Sequence, residues 1–255
     1  MEELNYTDSG HGKVIVLLHG FCESLEIWNY FSDELSKYCR VICVDLPGFG
    51  NSTYHGEEIS IELLSERIHT LIIGLGITKY GVIGHSLGGY ISLALAEMYP
   101  SHLQSMVLFH STAFEDSQEK KESRDKIISF IERNGLSTFM DSFVTPLFAE
   151  TNRIKCKADI HTLIRIGKKA NQDAVIATLI AMKKRKERIF ILKDCLVPTL
   201  LIIGEKDIAV PISDSLEMTE LNDTIQSIVL KDCAHMGIYE KPQTCLAKIK
   251  EFHFS

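Results

Sequence analysis

Three side chains far apart in the sequence have the types to do chemistry together: Ser86, Asp207 and His235. A serine hydroxyl attacks poorly near neutral pH, so it needs a base in contact, and the base needs an orienting anion. Imidazole titrates near neutrality, and a carboxylate behind it fixes its tautomer and stabilises the imidazolium. Ser86 centres Gly84-His85-Ser86-Leu87-Gly88, a G-x-S-x-G pentapeptide between a β-type run at 79–83 and a helix-type run at 87–98. A strand-to-helix turn this sharp strains the serine backbone and leaves no room for side chains at Gly84 and Gly88. It lifts the hydroxyl clear of the sheet edge and aims the first free N–H groups of the helix at whatever the serine attacks. Taken alone, the pentapeptide also fits a plain helix-start turn with a serine near the N-cap. The chain order Ser86, Asp207, His235 is the one that accompanies a nucleophile elbow.

The elements that must position these groups follow from hydrophobic patterning. Apolar runs at 14–18, 41–44, 79–83, 106–109, 198–203 and 227–230 predict buried strands, with an edge strand expected at 3–8. Helical spacing or start signals mark 24–35, 60–75, 87–98, 211–221 and 242–252. Strands alternating with helices imply βαβ units, hence an α/β protein whose mostly parallel sheet is covered by helices on both faces. Ligand chemistry in such sheets lies at the carboxyl ends of the strands. His19-Gly20-Phe21, Asp45, Ser86, His110, Asp207 and His235 all fall there.

From 115 to 195 the alternation stops, and helices are expected at 125–134, 136–148, 157–168 and 172–188. The charge balance shifts too: 17 Lys and Arg against 12 Asp and Glu there, 10 against 22 elsewhere. The expected organisation is a core of residues 1–112 and 196–255, with a helical cap at 113–195 inserted over the strand ends. The basic run Lys183-Lys184-Arg185-Lys186-Glu187-Arg188 fits a solvated helix end, or a contact for an anionic surface.

The chain resembles the α/β-hydrolase superfamily over nearly its full length. The stretches that carry the likeness are Leu17-Leu18-His19-Gly20-Phe21, Asp45-Leu46-Pro47-Gly48-Phe49-Gly50-Asn51-Ser52, Gly84-His85-Ser86-Leu87-Gly88-Gly89, Gly204-Glu205-Lys206-Asp207 and Cys233-Ala234-His235-Met236. Within it the chain is similar to small capped enzymes: esterases, enol-lactonases, proline iminopeptidases and a menaquinone-pathway lyase. The resemblance implies Ser86 as nucleophile, His235 as base, Asp207 as its partner, and the backbone N–H groups of Phe21 and Leu87 as the oxyanion hole. Asp116 and Asp232 are rival acids. Epoxide hydrolases and haloalkane dehalogenases resemble this fold but need a carboxylate where this chain has Ser86.

Other residues carry two readings each. Trp28, His110, Phe139, Phe143 and Met236 are candidates for the substrate pocket, against plain core packing. His19 is expected to buttress the oxyanion turn, His85 to pack or wall the pocket, and Asp45 to bond nearby backbone N–H groups.

The 255 residues, 45% hydrophobic and 24% charged, suffice for one α/β domain with an insertion. A net charge of −7 weighs against nucleic acid, and no apolar run is long enough for a membrane span. The polar N-terminus is unlike a signal peptide, and the odd count of seven cysteines without a C-x-x-C pair suits reduced thiols in the cytoplasm. No metal or cofactor is expected. The expected partner is a small acyl substrate, the chain being a monomer or homodimer. The leading reaction is hydrolysis of an ester, thioester or lactone through an acyl-enzyme. The alternative is a triad-dependent lyase or carbon–carbon hydrolase acting on an anionic molecule, with Arg124, Arg133 and Arg153 as candidate anion contacts. A ligand-binding protein with a vestigial site is the third.

Overall fold

The computed structural model describes residues 4–194 and 196–254. Among the described residues seven strands form one sheet: β1 (Tyr6–Ser9), β2 (Val14–Leu18), β3 (Arg40–Val44), β4 (Tyr80–His85), β5 (Leu103–Phe109), β6 (Thr199–Gly204) and β7 (Gln226–Leu230). Their order is β1-β3-β2-β4-β5-β6-β7. Only β1, on β3, pairs antiparallel. β2, β4 and β6 are buried along their whole length, whereas the edge strands β1 and β7 are largely open. That difference is the physical reason their apolar runs are continuous: a strand covered on both faces has no side to give to water.

The chain adds β3 on one side of β2, then crosses to place β4 on the other. The sheet reverses its winding between β2 and β4, and a crevice opens beyond their carboxyl ends. Leu18 pairs with Gly84 at that end, so the turn after β2 and the turn after β4 emerge side by side.

Around the sheet lie α1 (Asn29–Leu35), α2 (Ile61–Gly74) and α3 (Leu87–Met98). Ser60 starts α2 by accepting from Leu63 N–H, and Ile61, Leu64, Ile68 and Ile72 form its buried stripe. Between β5 and β6 the described residues hold no strand. They form α4 (Gln118–Asn134), α5 (Leu136–Phe143), α6 (Lys157–Lys168), α7 (Gln172–Lys184) and α8 (Ile189–Lys193). The chain closes with α9 (Ile212–Thr219), α10 (Gly237–Glu240) and α11 (Pro242–Phe254). No described helix is long and apolar enough to cross a membrane.

Several expectations need correction. The expected helix over 172–188 breaks at Arg185, whose backbone is extended, and a separate helix begins at Ile189. The basic run is neither a solvated helix end nor a free anion contact. Lys183 pairs with Asp125, Arg185 with Asp116, Lys186 with Glu97, and Arg188 with both Glu62 and Glu97. Arg185 and Arg188 are buried, so the run ties this helical segment to α2 and α3. The first expected helix opens as a 3-10 turn at Leu25–Trp28. The edge strand expected from residue 3 begins at Tyr6; residue 3 and Cys195, the end of the expected cap, lie outside the described residues.

Candidate active site

Ser86 sits at φ +49°, ψ −110°, a conformation disfavoured for any residue with a Cβ. Its surroundings over-determine it. Ser86 N–H donates to Phe109 O (2.9 Å), Ser86 O accepts from Gly89 N–H (2.9 Å) and from Ser111 Oγ (2.7 Å). A Cβ on Gly84 would fall 2.2 Å from Gly88 O, and one on Gly88 would fall 2.3 Å from Leu18 O. The two glycines are required because helix α3 presses directly on β4 and β2. The Ser86 hydroxyl does not cap α3, and the residue is partly exposed at the crevice.

His235 follows β7. Its Nδ1 lies 2.8 Å from Asp207 Oδ2, so Nδ1–H donates to the carboxylate and Nε2 is left as the basic nitrogen. The other oxygen of Asp207 accepts from Ala209 N–H (2.8 Å) and Val210 N–H (3.0 Å). Burial pushes the Asp207 carboxyl up, but the rings of His235 and His110 outweigh it and hold the group well below the usual carboxylate range. Asp116 instead faces Arg124 and Arg185, and Asp232 makes no bond to the imidazole among the described contacts. The backbone N–H of His235 donates to Leu147 O (3.0 Å), which links the loop to the helical segment between β5 and β6.

Leu87 is the first residue of α3, so its N–H has no acceptor within the helix. Phe21 lies in the turn after β2, where His19 fixes the backbone: its Nδ1 donates to Gly20 O (2.8 Å) and its Nε2 accepts Leu46 N–H (3.0 Å). Asp45 gathers Leu25 N–H (2.7 Å) and Asn51 N–H (2.9 Å), tying neighbouring turns together.

Ser86 and His235 share the wall of one cavity of about 270 Å³. Phe21, Glu23 and Tyr90 join them from the sheet side. Arg124, Ile127, Phe143, Leu147 and Met182 enter from the helical segment. A wider groove of about 820 Å³, edged by Glu115, Glu119, Asp214 and Glu217, opens nearby but reaches neither Ser86 nor His235.

Of the five side chains expected to wall the pocket, the cavity reaches Phe143 alone. Trp28 is fully buried, edge-on to Phe31 and tilted against Phe109. Phe139 stacks behind Phe143 (4.8 Å between rings), and Phe143 in turn meets Phe21 edge-on. Met236 is fully buried. His110 lies behind Asp207, with Nδ1 3.4 Å from Oδ2 and Nε2 accepting Gly237 N–H (3.2 Å); burial lowers its pKa to about 4. These side chains failed as pocket residues for one reason. Strand-end or helical position places a residue near the crevice, but only packing decides which way it turns.

Glu23 was missed. Its carboxylate is buried against Gly20 N–H (2.5 Å) and His85 Nδ1 (3.0 Å). The available signal was its position three residues after Gly20, a spacing at which a carboxylate can reach back to a backbone N–H. Tyr90 and Met182 were also unmarked, being ordinary helix residues in the sequence. The Cys22 thiol is buried, and burial and then Glu23 raise its pKa well above the ordinary value, which disfavours the reactive thiolate.

A sequence model described as alpha/beta hydrolase fold matches residues 13–242. The chain is 24% identical over 259 residues to the monoacylglycerol lipase ABHD6 of Bos taurus, spanning 95% of this chain and 76% of that protein. It is 23% identical over 250 residues to a 2-hydroxy-6-oxo-6-(2'-aminophenyl)hexa-2,4-dienoic acid hydrolase of Metapseudomonas resinovorans, spanning 94% and 84%. Among solved structures, a thermophilic esterase from Thermogutta terrifontis with malate bound superposes with a TM-score of 0.93 at 27% identity, covering 98% of this chain and 93% of that one.

Proposed function

The chain belongs to the α/β-hydrolase fold family and has the build of a carboxylic-ester hydrolase; from that premise we propose that it is a serine hydrolase of small to medium esters, thioesters or lactones. The observation that carries this reading is a strained Ser86 sharing a cavity with an imidazole whose Nδ1 is held by Asp207. Ser86 Oγ attacks the carbonyl carbon as His235 Nε2 takes its proton. The tetrahedral oxyanion rests on the N–H groups of Phe21 and Leu87. Two such donors supply several kcal/mol, since losing one typically costs about 3 kcal/mol. Collapse expels the alcohol or thiol, which takes the proton from His235 and leaves an acyl-enzyme. Water then gives a proton to His235, attacks the acyl carbon through a second oxyanion, and Ser86 leaves with that proton as the acid departs. The helical segment acts as a cap, and Ile127, Phe143, Leu147 and Met182 offer its apolar side chains to the acyl group.

A fluorophosphonate probe is expected to label Ser86, and Ser86→Ala to abolish labelling. Labelling at another residue sinks the assignment of Ser86, and no labelling sinks the proposal and favours a vestigial binding site.

One observation favours a second reading, a lyase or carbon–carbon hydrolase acting on an anion. Arg124 and Lys120 line the same cavity; Asp116 holds Arg124 Nε and Nη2, while Nη1 meets the Met182 sulfur, a weak acceptor, and Tyr90 lies against the same guanidinium. The other candidate arginines are elsewhere: Arg133 and Arg153 bond the carbonyls of Ser129 and Phe148. A relative named as a dienoic acid hydrolase accords with an anionic substrate. A panel of p-nitrophenyl esters of rising chain length, run beside lactones, separates the two. Turnover supports the first reading; labelling of Ser86 without turnover supports the second.

A further inference from the structure

Beside the Asp207–His235 pair lies a second buried carboxylate–imidazole pair. His85 Nδ1 is 3.0 Å from Glu23 Oε2, and His85 Nε2 is 3.0 Å from the backbone carbonyl of His235. A carbonyl oxygen can only accept, and so can a carboxylate once ionised; with Glu23 ionised, both ring nitrogens donate and the ring is an imidazolium. The same Glu23 oxygen accepts Gly20 N–H at 2.5 Å. There is no slack around the contact: a Cβ on Gly20 would fall 2.7 Å from Glu23 Oε2 and 2.9 Å from His85 Nδ1. The carboxylate thus grips the turn that carries Phe21, and the imidazolium grips the loop that carries the His235 ring. His85 itself is one peptide bond from Ser86.

We infer that Glu23 and His85 are positioning residues that hold the Phe21 N–H and the His235 ring in register with Ser86, and that His85 does this as a stable imidazolium. The inference rests on the proposed roles of Ser86 and His235. Burial alone would push the imidazole down and the carboxyl up. Their mutual attraction outweighs it, raising His85 and lowering Glu23. The other titratable groups around the pair include His235 and His110, with ring centroids 5.1 and 6.0 Å from that of His85, Asp207 and His19, and the Cys22 thiol and Tyr239 hydroxyl that face Glu23. Because Glu23 and His85 cancel in charge, they anchor the loop without adding net charge beside the ring that must accept a proton. An uncompensated cation in that place would oppose protonation of His235.

The test has two arms, both on the full chain. With 15N-labelled histidine at about pH 8, above the ordinary imidazole range, one of the ten histidines is expected to show both ring nitrogens protonated. That signal should vanish in His85→Gln. A spectrum with every imidazole neutral overturns the inference, and this arm reads out whether or not any ester is cleaved. In the second arm Glu23→Gln, nearly isosteric, is expected to lower kcat for ester cleavage about 10- to 100-fold with KM within about threefold. The rate of fluorophosphonate labelling should fall by a comparable factor. Retained kcat and labelling rate in a folded Glu23→Gln overturns the positioning role. A wild-type chain that the probe never labels sinks the serine-hydrolase reading instead, while the imidazolium signal stands apart from it.

Discussion

In the proposed mechanism, much of the rate hangs on one oxygen of Asp207. Its Oδ2 accepts from His235 Nδ1, and its Oδ1 is held by two backbone N–H groups. In Asp207→Asn the same shape would present an amide N–H or a neutral oxygen to the ring, and the tautomer with a basic Nε2 loses its support. The expected result is a fall in kcat for ester substrates of roughly 10⁴-fold with little change in KM, measured by steady-state kinetics on the best ester of the panel. Retention of most of the activity would remove Asp207 from the mechanism. Its candidacy was legible because a carboxylate at the end of a strand, after the nucleophile and before the histidine, is a statement about chain order. Glu23 was not legible, since its partners Gly20 and His85 come together only when the turns after β2 and β4 lie side by side.

At the scale of elements, ion pairing ties the helices between β5 and β6 to one another at Asp116 and to α2 and α3 through Arg188. Asp116 receives Arg124 from α4 and Arg185 from just past α7, and its side chain is fully buried. The Arg185 guanidinium lies 4.1 Å from the centroid of the Tyr90 ring, and Tyr90 walls the cavity with Ser86. Asp116→Asn would leave two largely buried guanidinium groups without their anion. The expected loss is about 3–5 kcal/mol of unfolding free energy, read from urea denaturation. A variant as stable as the wild type would mean that the cluster contributes no net stability. The extents of α6 and α3 were readable to the residue, α6 from its apolar stripe at Ile160, Leu163 and Ile166, and α3 from the elbow at its start and Pro100 just past its end. The break at Arg185 was not, because it is enforced by carboxylates on α2, on α3 and at Asp116, elements that no local window contains.

For the whole molecule, buried histidines set the acid limit. Burial lowers both His110 and His253 to about 4, against about 6.5 in an unfolded chain. Between those values the unfolded state binds the extra protons, so stability is full above about 6.5 and is lost as pH falls toward 4. For fully buried His110 alone the loss is roughly 3 kcal/mol. The depressed Asp207 adds its loss only below the ordinary carboxylate range, near 4. His85 works in the other direction: its raised pKa contributes stability fully below about 6.5, lost as pH rises through its folded value. The urea midpoint is therefore expected to drop between pH 7 and 5, ahead of any carboxylate titration. A midpoint that stays flat until below about pH 4.5 would contradict the histidine account.

The sequence by itself determined the sheet, the elbow and the order of Ser86, Asp207 and His235 along the chain. Those features are written in short-range terms: apolar runs for strands buried on both faces, glycines where Cβ atoms would collide, turn residues at strand ends. Only the tertiary structure decided which side chains face the cavity, where the basic run spends its charge, and that Glu23 and His85 meet. Each of those depends on the direction of a side chain relative to elements distant in sequence, and burial with its attendant pairing of charges exists only once the elements have packed.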